Sequence, residues 1–171
     1  METLPEKLSG LVKNRGLKVI TAIVVGCVAT LGTVSAAFTV GREYVSDYEL
    51  YSADYVKLAE WVEANTDPKD TMLTACNHNN AVAALTGRSI VCGAGTFLYY
   101  HGLDYGTQEN DVKTMYEDPS ARDALIEKYG VKYMILGDIE RGSYAIPDFD
   151  DMLGRYPVAF QSGEVYVLKV S

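Results

Sequence analysis

The strongest constraint in this sequence is a run of 22 residues without a charge, Val19 to Val40, reading VITAIVVGCVATLGTVSAAFTV. As a helix it would extend about 33 Å at 1.5 Å per residue, enough to cross a hydrocarbon layer of roughly 30 Å. Gly26, Thr30 and Val34, with Gly32 and Ala36, form a small-residue face suited to contact with neighbouring transmembrane helices. Charge divides the chain at the same place. Residues 1–40 carry a net +2, whereas residues 41–171 carry −10. Basic residues precede the run, and Arg42 is soon followed by Glu43, Asp47 and Glu49. The positive-inside rule therefore predicts a cytoplasmic basic segment over 1–18, a transmembrane helix over 19–40 and an extracytoplasmic domain over 41–171. The competing reading is a cleaved export signal, with Lys13–Lys18 as its basic region, Val19–Leu31 as its apolar region and Val34-Ser35-Ala36 as its cleavage site. The apolar run continues past that site through Phe38 and Val40, which favours an anchor in the bilayer. Both readings export the domain.

About 130 residues beyond the run suffice for one domain with its own core. Its acidity excludes nucleic acid as a partner, since it would repel phosphates. Apolar spacing predicts an amphipathic helix over Tyr48–Asn65, ended by Thr66-Asp67-Pro68. A short strand follows over Thr71–Ala75, then a small helix, Ala81–Leu85, capped by Asn77 or Asn79–Asn80 and closed by Gly87. Arg88–Cys92 reads as a strand, and Phe97–Gly106 as a loop. Helices over Glu109–Tyr116 and Ala121–Tyr129 precede the strand Val131–Leu136. A hairpin over Val158–Gln161 and Glu164–Val170 turns at Ser162-Gly163. The alternation predicts a small three-layer α/β domain with a mostly parallel sheet and the C-terminal hairpin at one edge.

In such sheets, ligands collect beyond the carboxyl ends of the strands. Polar residues gather there. His78, Asn79, His101, Asp104, Tyr105, Glu140 and Arg141 are the candidate ligand-binding residues, with Asp104 and Arg141 as candidates for a salt bridge bracing two loops. Cys76, His78, Cys92 and His101 have the chemistry of a zinc site but not the spacing of a standard finger. Cys76 and Cys92 end neighbouring strands, so a disulfide between them is open, as is burial of two free thiols. A Cys/His nucleophilic pair would need a base in reach and an oxyanion hole, and nothing in the spacing fixes either. Gly93-Ala94-Gly95 is half of a dinucleotide fingerprint and reads better as a turn. The aromatic run Phe97, Tyr99, Tyr100, Tyr105 suits a sugar-stacking surface or loop packing, with packing the simpler account. No catalytic residue, metal or cofactor is implied.

The order of segments carries a resemblance. An apolar helix leads to Glu60-Trp61-Val62, Asn65-Thr66-Asp67-Pro68, Leu73-Thr74 and His78. Then come Gly87-Arg88, Gly93, His101-Gly102-Leu103-Asp104-Tyr105, Asp111-Val112, Met115-Tyr116, Lys128–Tyr133 and Glu140-Arg141. This order resembles the last transmembrane helix and C-terminal extracytoplasmic domain of multi-spanning membrane proteins of the glycosyltransferase C superfamily, which use lipid-linked sugar donors. The resemblance implies a noncatalytic accessory or C-terminal domain, because that superfamily carries its catalytic acid in an early extracytoplasmic loop that a single-span chain lacks. The expectation is therefore a detached piece or a separate subunit, with other transmembrane helices of a glycosyltransferase assembly as partners. The rival expectations are an independent exported hydrolase using His78 or His101, and a saccharide- or peptide-binding domain using the strand-end face.

Overall fold

The computed structural model describes residues 15–171, with side chains from Gly16; most of the basic segment 1–18, including Lys7 and Lys13, lies outside the described residues. The chain divides into two units between Tyr48 and Glu49.

The first unit contains helix α1, Arg15–Tyr44. It runs four residues further at each end than the uncharged stretch, and from Gly16 to Tyr44 it is long and apolar enough to cross a membrane. Three of its threonine hydroxyls are satisfied within the helix. Thr30, Thr33 and Thr39 donate to the carbonyls of Gly26, Ala29 and Ser35 at 2.8, 2.8 and 3.1 Å. Threonine can therefore sit on an apolar helix without an unpaired polar group.

The second unit is built on a five-stranded sheet in the order β2-β1-β3-β5-β4, with β1 at Thr71–Leu73, β2 at Ser89–Ile90, β3 at Val131–Leu136, β4 at Val158–Ser162 and β5 at Val165–Lys169. Strands β2, β1 and β3 are parallel, and the β4–β5 hairpin adds antiparallel to β3 as the edge expected for it. Alternation along the strands fills two cores. Met72, Ile135 and Val167 face helices α2 (Ala53–Asn65) and α3 (Ala81–Thr86), packing with Tyr55, Leu58, Val62 and Val82. Leu73, Met134, Leu136 and Leu168 face the opposite way, onto Val112, Met115, Tyr116, Ile126 and Met152. Those residues come from helices α5 (Gly106–Glu117) and α6 (Pro119–Tyr129) and the later α8 (Phe149–Arg155). Strand residues buried on both faces account for the three-layer arrangement.

Three departures from the sequence reading have local causes. Helix α2 starts at Ala53, behind an extended Ser52, rather than at Tyr48; Tyr48 and Leu50 are exposed and gain nothing from helical burial. The segment expected as a loop after β2 opens with a short helix α4, Gly95–Tyr100, whose Leu98 packs against the core beside Cys92. Gly95 allows this, since a β-carbon there would lie 2.5 Å from the Tyr105 ring. Helices α7 (Asp138–Ser143) and α8 lay in a stretch without clear periodicity.

Arg122 is fully buried where α5, α6 and the start of α8 meet. It donates to the carbonyls of Met115 and Tyr116 at 2.7 and 3.3 Å and grips both carboxylate oxygens of Asp148 at 2.6 and 2.8 Å. The paired guanidinium holds the Asp148 carboxyl below its usual range. At the hairpin, Gly163 takes φ 54°, and Ser162 donates to Asp54 of α2 at 2.6 Å, tying the turn to that helix.

Candidate functional site

The carboxyl ends of β1 and β3 meet over a single buried carboxylate. Glu140, in the first turn of α7, is 2% exposed and accepts three hydrogen bonds. They come from the Ala75 amide at 3.1 Å, the Gly137 amide at 3.0 Å and the Tyr55 hydroxyl at 3.2 Å. Glu140 reaches back to the residue before its own helix, one arm of a capping box, while its other oxygen fixes the chain leaving β1. Burial raises its carboxyl above the usual range, against the opposing pull of these donors. Burial also raises the Tyr55 phenol, followed by the nearby Glu140 charge, so Tyr55 stays protonated and donates. Gly137 cannot carry a side chain here, because a β-carbon would collide with the Tyr55 hydroxyl.

Around this node the other buried polar groups are also bonded. Asn80 caps α3 by accepting from Ala83 at 3.1 Å, and its amide donates to Thr74 Oγ1 at 2.6 Å and the Ala75 carbonyl at 3.2 Å. The Tyr116 hydroxyl lies 3.2 Å from the Leu73 carbonyl and 2.9 Å from that of Ile135, bridging β1 and β3. Tyr144 stacks on Tyr116 with centroids 4.8 Å apart and accepts from the Cys76 amide at 3.1 Å. One atom stands apart. Asn77 Oδ1 is buried without a protein partner, beside a cavity of about 10 Å³ lined by Thr74, Asn79, Asn80, Tyr55 and Glu140. That volume matches a single water molecule, which would complete its bonding.

The sequence-derived candidates separate into this floor and an outer rim. Glu140 belongs to the floor, and Asn79 lines its small cavity. His78, His101 and Asp104 are exposed, and Tyr105 is half-buried. His78 lies against Phe97, with ring centroids 4.4 Å apart. It borders a groove of about 290 Å³ shared with Asn77, Ile90 and Gly93. Asp104 and Tyr105 border a second groove of about 370 Å³ with Cys92 and Leu98. Asp104 accepts from the Gly106 amide at 3.2 Å, as in an Asx turn. The expected Asp104–Arg141 brace is absent. Arg141 instead lies 4.0 Å from Glu164 and 5.3 Å from the Phe149 ring, because α7 turns it toward the hairpin side of the sheet.

Cys76 and Cys92 are free thiols, and Cys92 Sγ donates to the Gly93 carbonyl at 3.4 Å. Burial raises both, Cys92 to about 12, so neither is an ionised nucleophile at neutral pH. Among the described residues, no group of three or more His, Cys, Asp or Glu side chains is placed to hold a metal ion, so Cys76, His78, Cys92 and His101 are not gathered into a zinc site. Sequence reasoning missed Tyr55, Tyr116 and Tyr144 as parts of the floor. Tyr55 and Tyr116 do carry a signal, since each sits on the apolar face of an amphipathic helix with a hydroxyl that burial obliges to find a partner. Tyr144 carries none.

No protein-family model matches the chain, and no curated protein does. Among solved structures, the C-terminal globular domain of oligosaccharyltransferase from Archaeoglobus fulgidus superposes with a TM-score of 0.51 at 10% sequence identity, covering 71% of this chain and 99% of that domain. At that identity the likeness is one of fold. The α/β unit has the architecture of a globular domain found at the C-terminus of an oligosaccharyltransferase, and in this chain a helix apolar enough to cross a membrane lies N-terminal to it.

Proposed function

We propose that this chain is a membrane-anchored module in which residues 19–40 span the bilayer, residues 1–18 stay in the cytoplasm, and residues 41–171 serve a glycosyltransferase-type membrane assembly from the extracytoplasmic side without catalysing transfer themselves. The observation that carries this reading is the conjunction of a helix apolar enough to span with a domain shaped like the C-terminal domain of an oligosaccharyltransferase. The chemistry of the strand ends supports a noncatalytic role. Glu140 is consumed in holding backbone, the thiols are held protonated, and among the described residues no side-chain hydrogen bond orients His78 or His101 as a base.

Three measurements on membranes expressing the full chain test the proposal. The chain should remain in the pellet after carbonate washing, a C-terminal tag should be reached only by protease added outside, and the purified chain alone should transfer no sugar from a polyprenyl-linked donor. A soluble product starting near Ala37, or turnover of the donor by the chain alone, would overturn it. A second reading has one observation in its favour, the pair of grooves on either side of Ile90 and Gly93. In that reading His78, Asp104 and Tyr105, which border the grooves, hold a saccharide or peptide. Loss of glycan binding in His78→Ala with an unchanged thermal melt would establish it.

A further inference from the structure

Charge is distributed unevenly over the α/β unit. Between Asp70 and Asp104 the only charged side chain is Arg88, in a domain whose net charge is −10. Arg88 is half-buried at the end of α2, donating to Thr66 Oγ1 and the Thr66 carbonyl at 3.0 Å each and to the Glu63 carbonyl at 3.1 Å. Apart from that one cation the stretch is uncharged, and on α4 and the turn after it the surface is aromatic. Phe97, Tyr99, Tyr100 and Leu103 are 49%, 69%, 80% and 57% exposed. Tyr99 and Tyr100 meet edge to face at 5.6 Å, away from the core. Contiguous exposed apolar side chains of this kind mark an interaction surface rather than ordinary scatter.

The covalent chain limits what can cover it. Eight residues, 45–52, separate Tyr44 at the end of α1 from Ala53 at the start of α2. Even fully extended they let those two ends separate by no more than about 32 Å, so a domain tethered to a spanning helix is confined to the neighbourhood of the headgroups. Tyrosine and phenylalanine prefer that region, with rings in the acyl boundary and hydroxyls in water. An acidic surface is disfavoured beside anionic lipid and gains nothing from a zwitterionic one, so the neutral face is the one that can approach the bilayer without an electrostatic cost.

We infer that the Phe97–Leu103 face is a lipid-contacting surface, which beds its aromatic side chains in the headgroup–acyl boundary of the membrane that α1 crosses. This inference rests on the anchoring reading above. It concerns a different set of residues, so the two can fail separately. The purified full chain is reconstituted into vesicles of phosphatidylcholine doped with a phosphatidylcholine bearing a photoreactive diazirine near the headgroup end of one acyl chain, and labelled peptides are mapped by mass spectrometry. Label is expected on α1 and on the peptide containing Phe97–Leu103. In the double substitution Tyr99→Ser/Tyr100→Ser, and independently in Tyr100→Asp, label on that peptide should fall several-fold while label on α1 and the thermal melt stay unchanged. Label confined to α1 would overturn the inference and leave the anchor standing. Label on the Phe97–Leu103 peptide without α1 would sustain the lipid contact and overturn the anchor, and label on neither would overturn both. Patch label that survives both variants would also overturn it. So would chemical nitration showing Tyr99 and Tyr100 protected in native membranes but open in the vesicles, which would assign the face to a protein partner.

Discussion

Glu140 and Arg141 are neighbours in sequence, both beyond the end of β3, yet they belong to regions with opposite physics. Glu140 lies in the floor under the strand ends, where it is buried and both its oxygens are taken up by protein donors. Arg141 lies on the rim, 4.0 Å from a Glu164 that is 80% exposed. The floor holds polar groups because backbone amides leaving β1 and β3 need acceptors once buried. The rim holds them because solvent accepts them at no cost. A charge at a strand end is thus a structural device or a free one according to which way a single helical turn faces it.

That contrast can be broken by mutation. Glu140→Ala should have the largest effect, since it strands the Ala75 and Gly137 amides and the Tyr55 hydroxyl together. A loss on the order of 3 kcal/mol in urea unfolding is expected. A loss under 1 kcal/mol would mean that water already serves those donors. Tyr116→Phe removes the hydroxyl shared by the Leu73 and Ile135 carbonyls and should cost about 1–2 kcal/mol by the same measurement, with no change of fold in circular dichroism.

The pH dependence sharpens the contrast from another side. Burial raises Glu140 in the folded state, so its contribution to stability is fully present below the unfolded carboxyl range and is lost as pH rises through the folded value. The stability difference between wild type and Glu140→Gln should therefore narrow as pH is raised from about 4 toward neutrality. Asp148 behaves oppositely. Arg122 lowers it in the folded state, so its contribution persists above the usual carboxyl range and disappears only as pH falls below that range. Chemical unfolding across pH for wild type, Glu140→Gln and Asp148→Asn separates the two signs.

At the rim, Arg141→Ala should change stability by less than about 0.5 kcal/mol, because a long, solvent-screened ion pair contributes little. A larger loss in its thermal melt would show that stacking over Phe149, 5.3 Å away, fastens α7 to the hairpin edge.

Several elements were open to a reading from sequence because their cause is local. The 22-residue uncharged run dictates an apolar helix by composition alone. Strand β3 occupies the expected Val131–Leu136, since a β-rich run behind a glycine stop leaves little else for it to do. Asn80 and Gly87 bracket α3 through side-chain capping and a left-handed backbone. Helix α4 was not legible, because six residues show no period; it is held by the fit of Leu98 into the core and by the space left at Gly95.

The sequence by itself determined that this chain carries one membrane-length apolar helix and an α/β domain whose polar residues collect at the strand ends. Those properties follow from period, composition and turn chemistry, each fixed within a few residues. Only the tertiary structure decided which of the collected groups are used up. Whether Glu140 faces Ala75 or solvent, whether Arg141 meets Asp104 or Glu164, and which aromatic rings are left uncovered depend on contacts between residues far apart in sequence, 65 positions for Glu140 and Ala75. No local rule encodes those contacts, because they arise only when the packed layers compete for the same buried donors and the same apolar surface.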